Sequence, residues 1–155
     1  MNNKGFTTIE LILTLLLVIF LMTTITTVTY TYRDKSDYEQ LKTEIINYKN
    51  NLTKIIYDDI LDQDDLVVDI EKTDEYNYTL KTNKNNFPLT IINQDKKKGI
   101  NYREVNYLIP GSEDSLITIE EINYVSDADI YCLDIIFSSR HIDEYFKIHL
   151  VTSNF

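Results

Sequence analysis

Alanine occurs once in these 155 residues, at Ala128, and cysteine once, at Cys132. Each scarcity excludes something. The apolar stretch near the N-terminus has no small-residue A-x-A site after it, so it does not read as an ordinary removable signal peptide. A lipoprotein-type cut before a cysteine is excluded on the same ground. A single cysteine forms no intramolecular disulfide, so the folded part must hold together by packing. Charge is missing from Leu11 to Tyr32, although charged residues make up 26% of the chain and the formal net charge is -10. Proline and glycine are missing from that run too.

What remains in the run is Leu, Ile and Val in its first half and threonine in its second. At the rise of an α-helix its 22 residues reach about 30 Å, the thickness of a bilayer core. The first physical reading is a single transmembrane helix that stays in the mature protein. Lys4 precedes the run, and Arg33 and Lys35 follow it, so flanking Lys and Arg set no orientation by count. Long domains translocate largely regardless of charge. The expected arrangement is therefore a cytoplasmic N-terminus and an extracytoplasmic bulk.

The chain opens Met1-Asn2-Asn3-Lys4-Gly5-Phe6-Thr7-Thr8-Ile9-Glu10-Leu11. A short polar leader ends in a basic residue and a glycine. One carboxylate, Glu10, stands at the head of the apolar helix, where an acidic residue is costly and calls for a function and a partner. Lys4 to Leu11 resembles the processing signature of type IV prepilins and pseudopilins. That resemblance implies cleavage between Gly5 and Phe6 by a membrane-embedded prepilin peptidase, N-methylation of Phe6, and an assembly role for Glu10 through the N-terminal amine of a neighbouring subunit. The residue types suit the chemistry. Gly5 lets backbone approach the peptidase closely, and the cut frees an amine on Phe6 that can share the desolvation cost of Glu10. Many major pilins carry a helix-breaking proline in this segment. Here Thr23, Thr24, Thr26, Thr27, Thr29 and Thr31 crowd its second half instead, and their hydroxyls can bond back to the preceding turn, which suggests a pliable stretch.

Past Arg33, Tyr38, Leu41, Ile45, Tyr48, Leu52, Ile55 and Ile56 recur at three- and four-residue steps, an amphipathic stripe suited to packing on a sheet. From Leu66 the period becomes two. Expected strands are 66–71, 76–82, 89–93, 100–109, 115–125, 130–138 and 144–151. The last pair is clearest, and 138–143 would connect it. The phase slips between Tyr102 and Val105, as at a bulge. The expected fold is α+β, pilin-like: a long N-terminal helix, its first half transmembrane, packed on an antiparallel β-sheet head. Its organisation would be a leader at 1–5, the membrane and assembly half of the helix at 6–32, the amphipathic half at 33–62 and the head at 63–155. The strand order loosely resembles the larger minor pseudopilins of type II secretion and competence systems.

Other chemistry is thin. Asp58, Asp59, Asp62, Asp64 and Asp65 lack calcium-loop spacing and read as a solvated helix end. Cys132, His141 and His149 match no standard metal pattern, and His149, flanked by Ile148 and Leu150, is expected on the solvent side. Ser138, Ser139 and His141 form no nucleophile motif, and no phosphate-binding glycine loop is present. Twelve tyrosines could stack on bases, but the acidic head, with Lys96-Lys97-Lys98 as its one basic run, argues against direct nucleic-acid binding. That run is expected in a solvent-facing turn. The expectation is a non-enzymatic, cofactor-free minor pilin or pseudopilin, first in the plasma membrane and then in a cell-surface filament. By resemblance its partners are the prepilin peptidase, sibling pilins, membrane lipid, and an assembly platform and ATPase. The alternative is a signal-anchored binding or adhesin module that never polymerises.

Overall fold

The computed structural model describes residues 7–61, 67–82, 84–114, 116–127, 130–140 and 142–153. The architecture is α+β: one long helix followed by two antiparallel sheets. Helix α1 spans Thr8–Leu61. Backbone contacts divide the chain into two compact units, one ending at Glu39 and the other beginning at Gln40.

In the first unit the helix carries the uncharged run. All six threonines in its second half bond back onto the preceding turn. Thr24, Thr26, Thr27, Thr29 and Thr31 each donate to the carbonyl four residues earlier, at 2.8–3.0 Å, and Thr23 reaches the carbonyls of both Ile19 and Phe20. These hydroxyls therefore need no outside partner, and the helix continues through them unbroken.

In the second unit the apolar stripe of α1 is the face that packs. Ile45, Leu52 and Ile56 are buried, each contributing about 2 kcal/mol by removal from water. Tyr48 donates its hydroxyl to the carbonyl of Tyr107 at 2.9 Å, and Lys42 pairs with Glu144 at 2.5 Å. The stripe thus docks on strands, as a helix of about three heptads with a half-apolar face is suited to do.

The first sheet is a meander in chain order: β1 Val67–Lys72, β2 Asn77–Thr82, β3 Asn86–Gln94, β4 Lys97–Tyr102 and β5 Val105–Leu108. The second is β6 Ile117–Asp127, β7 Ile130–Ser139 and β8 Ile142–Ser153. Alternation along the strands sets the core. Tyr78 and Leu80, then Phe87, Leu89 and Ile91, point inward from the first sheet; Leu133, Ile135, Phe137, Phe146, Ile148 and Leu150 do so from the second. The two sheets are tied where the Tyr124 hydroxyl donates to the carbonyl of Ile70 and the Tyr78 and Tyr124 rings lie 6.0 Å apart.

Three expectations are corrected. The segment 100–109 is not one bulged strand. Tyr102 pairs with Val105 across a two-residue turn in which Arg103 and Glu104 have φ of 51° and 67°. Such turns suit the right-handed twist of hairpins, but the usual Asn-Gly signal is replaced here by Arg-Glu, which hides it. Within that hairpin, Gly99 lets two backbones meet: a Cβ there would stand 2.2 Å from the Tyr107 carbonyl oxygen. The lysine run is not a turn either. Only Lys96 occupies the turn with Asp95, while Lys97 and Lys98 open β4. Finally, β7 and β8 extend to Ser139 and from Ile142, so their connection is shorter than 138–143.

Candidate functional site: the head of the apolar helix

Two sequence features meet at the start of α1. The first is the cap. The backbone N–H and the hydroxyl of Thr7 both donate to Glu10 Oε2, each at 2.8 Å, and the Glu10 N–H donates back to Thr7 Oγ1 at 3.3 Å. This is a capping box with Thr7 at the N-cap and Glu10 three residues on. It satisfies orphan donors of the first turn and sets a carboxylate at the positive end of the helix dipole. The Thr-x-x-Glu spacing ahead of an apolar run is the signal that marks it. Reading Glu10 for its charge in an apolar segment passes over this local role.

The second feature is the surface behind the cap. From Ile9 to Val28 the large apolar side chains are all exposed, between 46% and 70%. An exposed apolar surface of this extent, on all sides of one helix, demands lipid or protein around it. The helix is long and apolar enough to cross a membrane or to serve as a signal anchor. Gly5 and Phe6, the expected cleavage and methylation residues, lie outside the described residues, as do Lys4 and the rest of the 1–5 leader. Glu10 is the expected site residue whose surroundings are seen.

The other candidate residues sort as follows. Asp58 is exposed at the end of α1, while Asp62, Asp64, Asp65 and His141 lie outside the described residues, and the side chain of Asp59 is likewise not described. Cys132 and His149 do come together, on the outer face of β7 and β8. His149 is on the exposed side of β8, opposite Asp134 in register, and Asp134 joins them. Cys132 Sγ lies 3.6 Å from Asp134 Oδ1 and 3.7 Å from His149 Nδ1, and His149 Nδ1 lies 2.5 Å from Asp134 Oδ1. Lys147 holds the other carboxylate oxygen, Oδ2, at 2.6 Å. Burial raises the Asp134 carboxyl, but its hydrogen bonds to Lys147 and His149 outweigh that and hold it below the usual range. Burial pushes the neighbouring Cys132 thiol up, and the Asp134 charge adds to the effect. Asp134 is legible in sequence only after pairing is known: it is two places from Cys132, hence on the same face, but its link to His149 requires the register of β7 on β8.

No family model, curated protein or solved structure matches the chain. The likeness therefore rests on architecture: a long apolar N-terminal helix followed by antiparallel β-sheets, a pilin-like arrangement.

Proposed function

We propose that the chain is a structural subunit, a minor pilin or pseudopilin, of a type IV pilus-like filament. The observation that carries this reading is the helix from Ile9 to Val28, apolar on every side and exposed throughout, with a single carboxylate at its head. A lipid bilayer can cover such a surface before assembly, and the helices of sibling subunits can cover it afterwards. The head domain stays outside the membrane and makes the contacts that differ between subunits. Cleavage at Gly5–Phe6 by a prepilin peptidase would free the amine with which Glu10 of a neighbouring subunit pairs, fixing axial register through a charge pair in low dielectric. The subunit is a substrate of the peptidase, does no catalysis of its own, and depends on the platform and ATPase of its assembly system.

A second reading has its own observation. The capping box supplies Glu10 with hydrogen-bond partners inside its own chain, so the carboxylate would be accounted for in a signal-anchored binding module that never polymerises. One experiment separates the two. The chain is co-expressed with a prepilin peptidase and assembly machinery, and its intact mass and filament incorporation are measured for wild type, Glu10→Ala and Thr7→Ala. A filament subunit yields a mature chain starting at methylated Phe6. Glu10→Ala is then cleaved but not incorporated, whereas Thr7→Ala, which loses the cap and keeps the carboxylate, still enters filaments. A mature chain retaining residues 1–5, or equal incorporation of Glu10→Ala and wild type, would defeat the filament reading.

A further inference from the structure

The outer face of the second sheet carries a convergence of donor atoms that the filament role does not use. Cys132 Sγ, Asp134 Oδ1 and His149 Nδ1 lie within 4.8 Å of one another. The arrangement does not suit a nucleophile relay. In a relay the thiol and the carboxylate address opposite nitrogens of the imidazole, whereas here both meet Nδ1. Three donors facing one point is what a metal ion requires.

The geometry points to a divalent transition-metal site, of the zinc class, formed by Cys132, Asp134 and His149. The separations test the idea. For a tetrahedral ion with bonds of about 2.3 Å to sulfur and about 2.0 Å to nitrogen and oxygen, donor atoms stand about 3.5 Å apart across a sulfur edge. The observed sulfur edges are 3.6 and 3.7 Å. The nitrogen–oxygen edge is 2.5 Å, a hydrogen bond, and it would open to about 3.3 Å as the ion takes Nδ1 and the proton of the neutral imidazole moves to Nε2, so that this step releases no proton to solvent. One side-chain rotation of His149, which is half exposed, supplies that movement without disturbing the strands.

Charge and donor softness narrow the ion. A thiolate and a carboxylate neutralise a dication, and a thiolate with an imidazole selects zinc-like ions over calcium or magnesium. Lys147 grips Asp134 Oδ2, so the carboxylate is oriented to offer Oδ1 alone, the part that outer-shell partners play around metal ligands. His149 also lines a groove of about 370 Å³ with Lys147 and with Lys49 and Lys54 of α1. The ligand form of cysteine is the thiolate, so binding is coupled to ionisation of the thiol. The ion takes the Cys132 sulfur, and the thiol proton leaves to solvent, about one proton per ion at neutral pH. The fourth position of the tetrahedron is left to water.

The test uses the full chain in detergent micelles under a non-thiol reductant, titrated with Co(II) alone and then with Zn(II). The expected result is one tightly bound ion per chain, an intense tetrahedral cobalt spectrum with a thiolate charge-transfer band, displacement of cobalt by zinc but not by excess Ca(II), and release of about one proton. Cys132→Ser should remove the charge-transfer band, and Cys132→Ser and His149→Ala should each weaken binding at least tenfold, with far-ultraviolet circular dichroism unchanged. His149 is exposed, so its replacement tests the site even if a change at Cys132 disturbs the strand. Cobalt bound without the charge-transfer band, or held equally by wild type, Cys132→Ser and His149→Ala, would mean diffuse binding to an acidic chain and would overturn the assignment. Absence of binding would overturn it too.

Discussion

The Tyr57 hydroxyl both donates to the carbonyl of Val151 and accepts from its N–H, each at 3.2 Å. Strand β8 is an edge of its sheet, and edges present unpaired backbone groups that invite other chains. One side chain of α1 closes that edge at Val151 with a single oxygen. Replacing Tyr57 with Phe keeps the ring and removes both bonds. The expected loss is about 1 kcal/mol or somewhat more, because a partly buried N–H and carbonyl are left unpaired together. Thermal unfolding of the full chain in micelles measures it, and an unchanged midpoint would show that water replaces the hydroxyl without penalty.

The hairpin of β4 and β5 makes two opposite predictions. Glu104 holds φ of 67° with its side chain exposed, so Glu104→Gly relieves a left-handed strain and should stabilise by about 1 kcal/mol. Gly99→Ala drives a Cβ into the Tyr107 carbonyl, against backbone that cannot step aside. It should destabilise by about 3 kcal/mol or prevent folding. Equal unfolding midpoints for Gly99→Ala and wild type would show that the strands separate freely.

Acid should weaken the protein through Asp134. Burial works to raise this carboxyl, yet the hydrogen bonds from Lys147 and His149 prevail and hold it below its ordinary value of 3.8. A carboxyl depressed in the folded state contributes stability above its unfolded value and loses it as pH falls through the folded one. The contribution is therefore whole at neutral pH and fades as pH falls below about 4. Asp134→Asn should be less stable than wild type at pH 7, and the gap should narrow as the pH is lowered below that point. A constant gap across that range would sever the effect from ionisation.

The cap predicts a local effect. Thr7→Ala removes the hydroxyl that bonds Glu10 and accepts its N–H, which should cost the first turn of α1 about 1 kcal/mol. Amide exchange at Glu10 and Leu11 in micelles should accelerate about five-fold, while exchange in the β strands stays unchanged. Acceleration spread over the whole chain would place the effect elsewhere.

Much of this fold is legible in the residues. The apolar run from Leu11, the stripe through Ile45, Leu52 and Ile56, and the alternation Leu133, Ile135, Phe137 each bear the period of the element they form. What was hidden is whatever depends on a partner strand. Arg103 and Glu104 carry no turn signature, so the hairpin looks like one long strand with a phase slip. Asp134 looks like any surface acid until register places His149 opposite it. Glu10 was visible as a charge out of place, and its bonds to Thr7 show that such a charge can also have a mundane local task.

Six threonines in a row of turns would seem to make the second half of the apolar segment half-hearted as a hydrocarbon-facing surface. Their hydroxyls already bond to carbonyls of the same helix, and what each turns outward is largely its methyl group. Scales that count every threonine as polar thus understate how far oil-like character extends toward Tyr32. Such a surface asks nothing of its neighbours by way of hydrogen bonds, so exchanging one set of greasy neighbours for another leaves no polar group stranded.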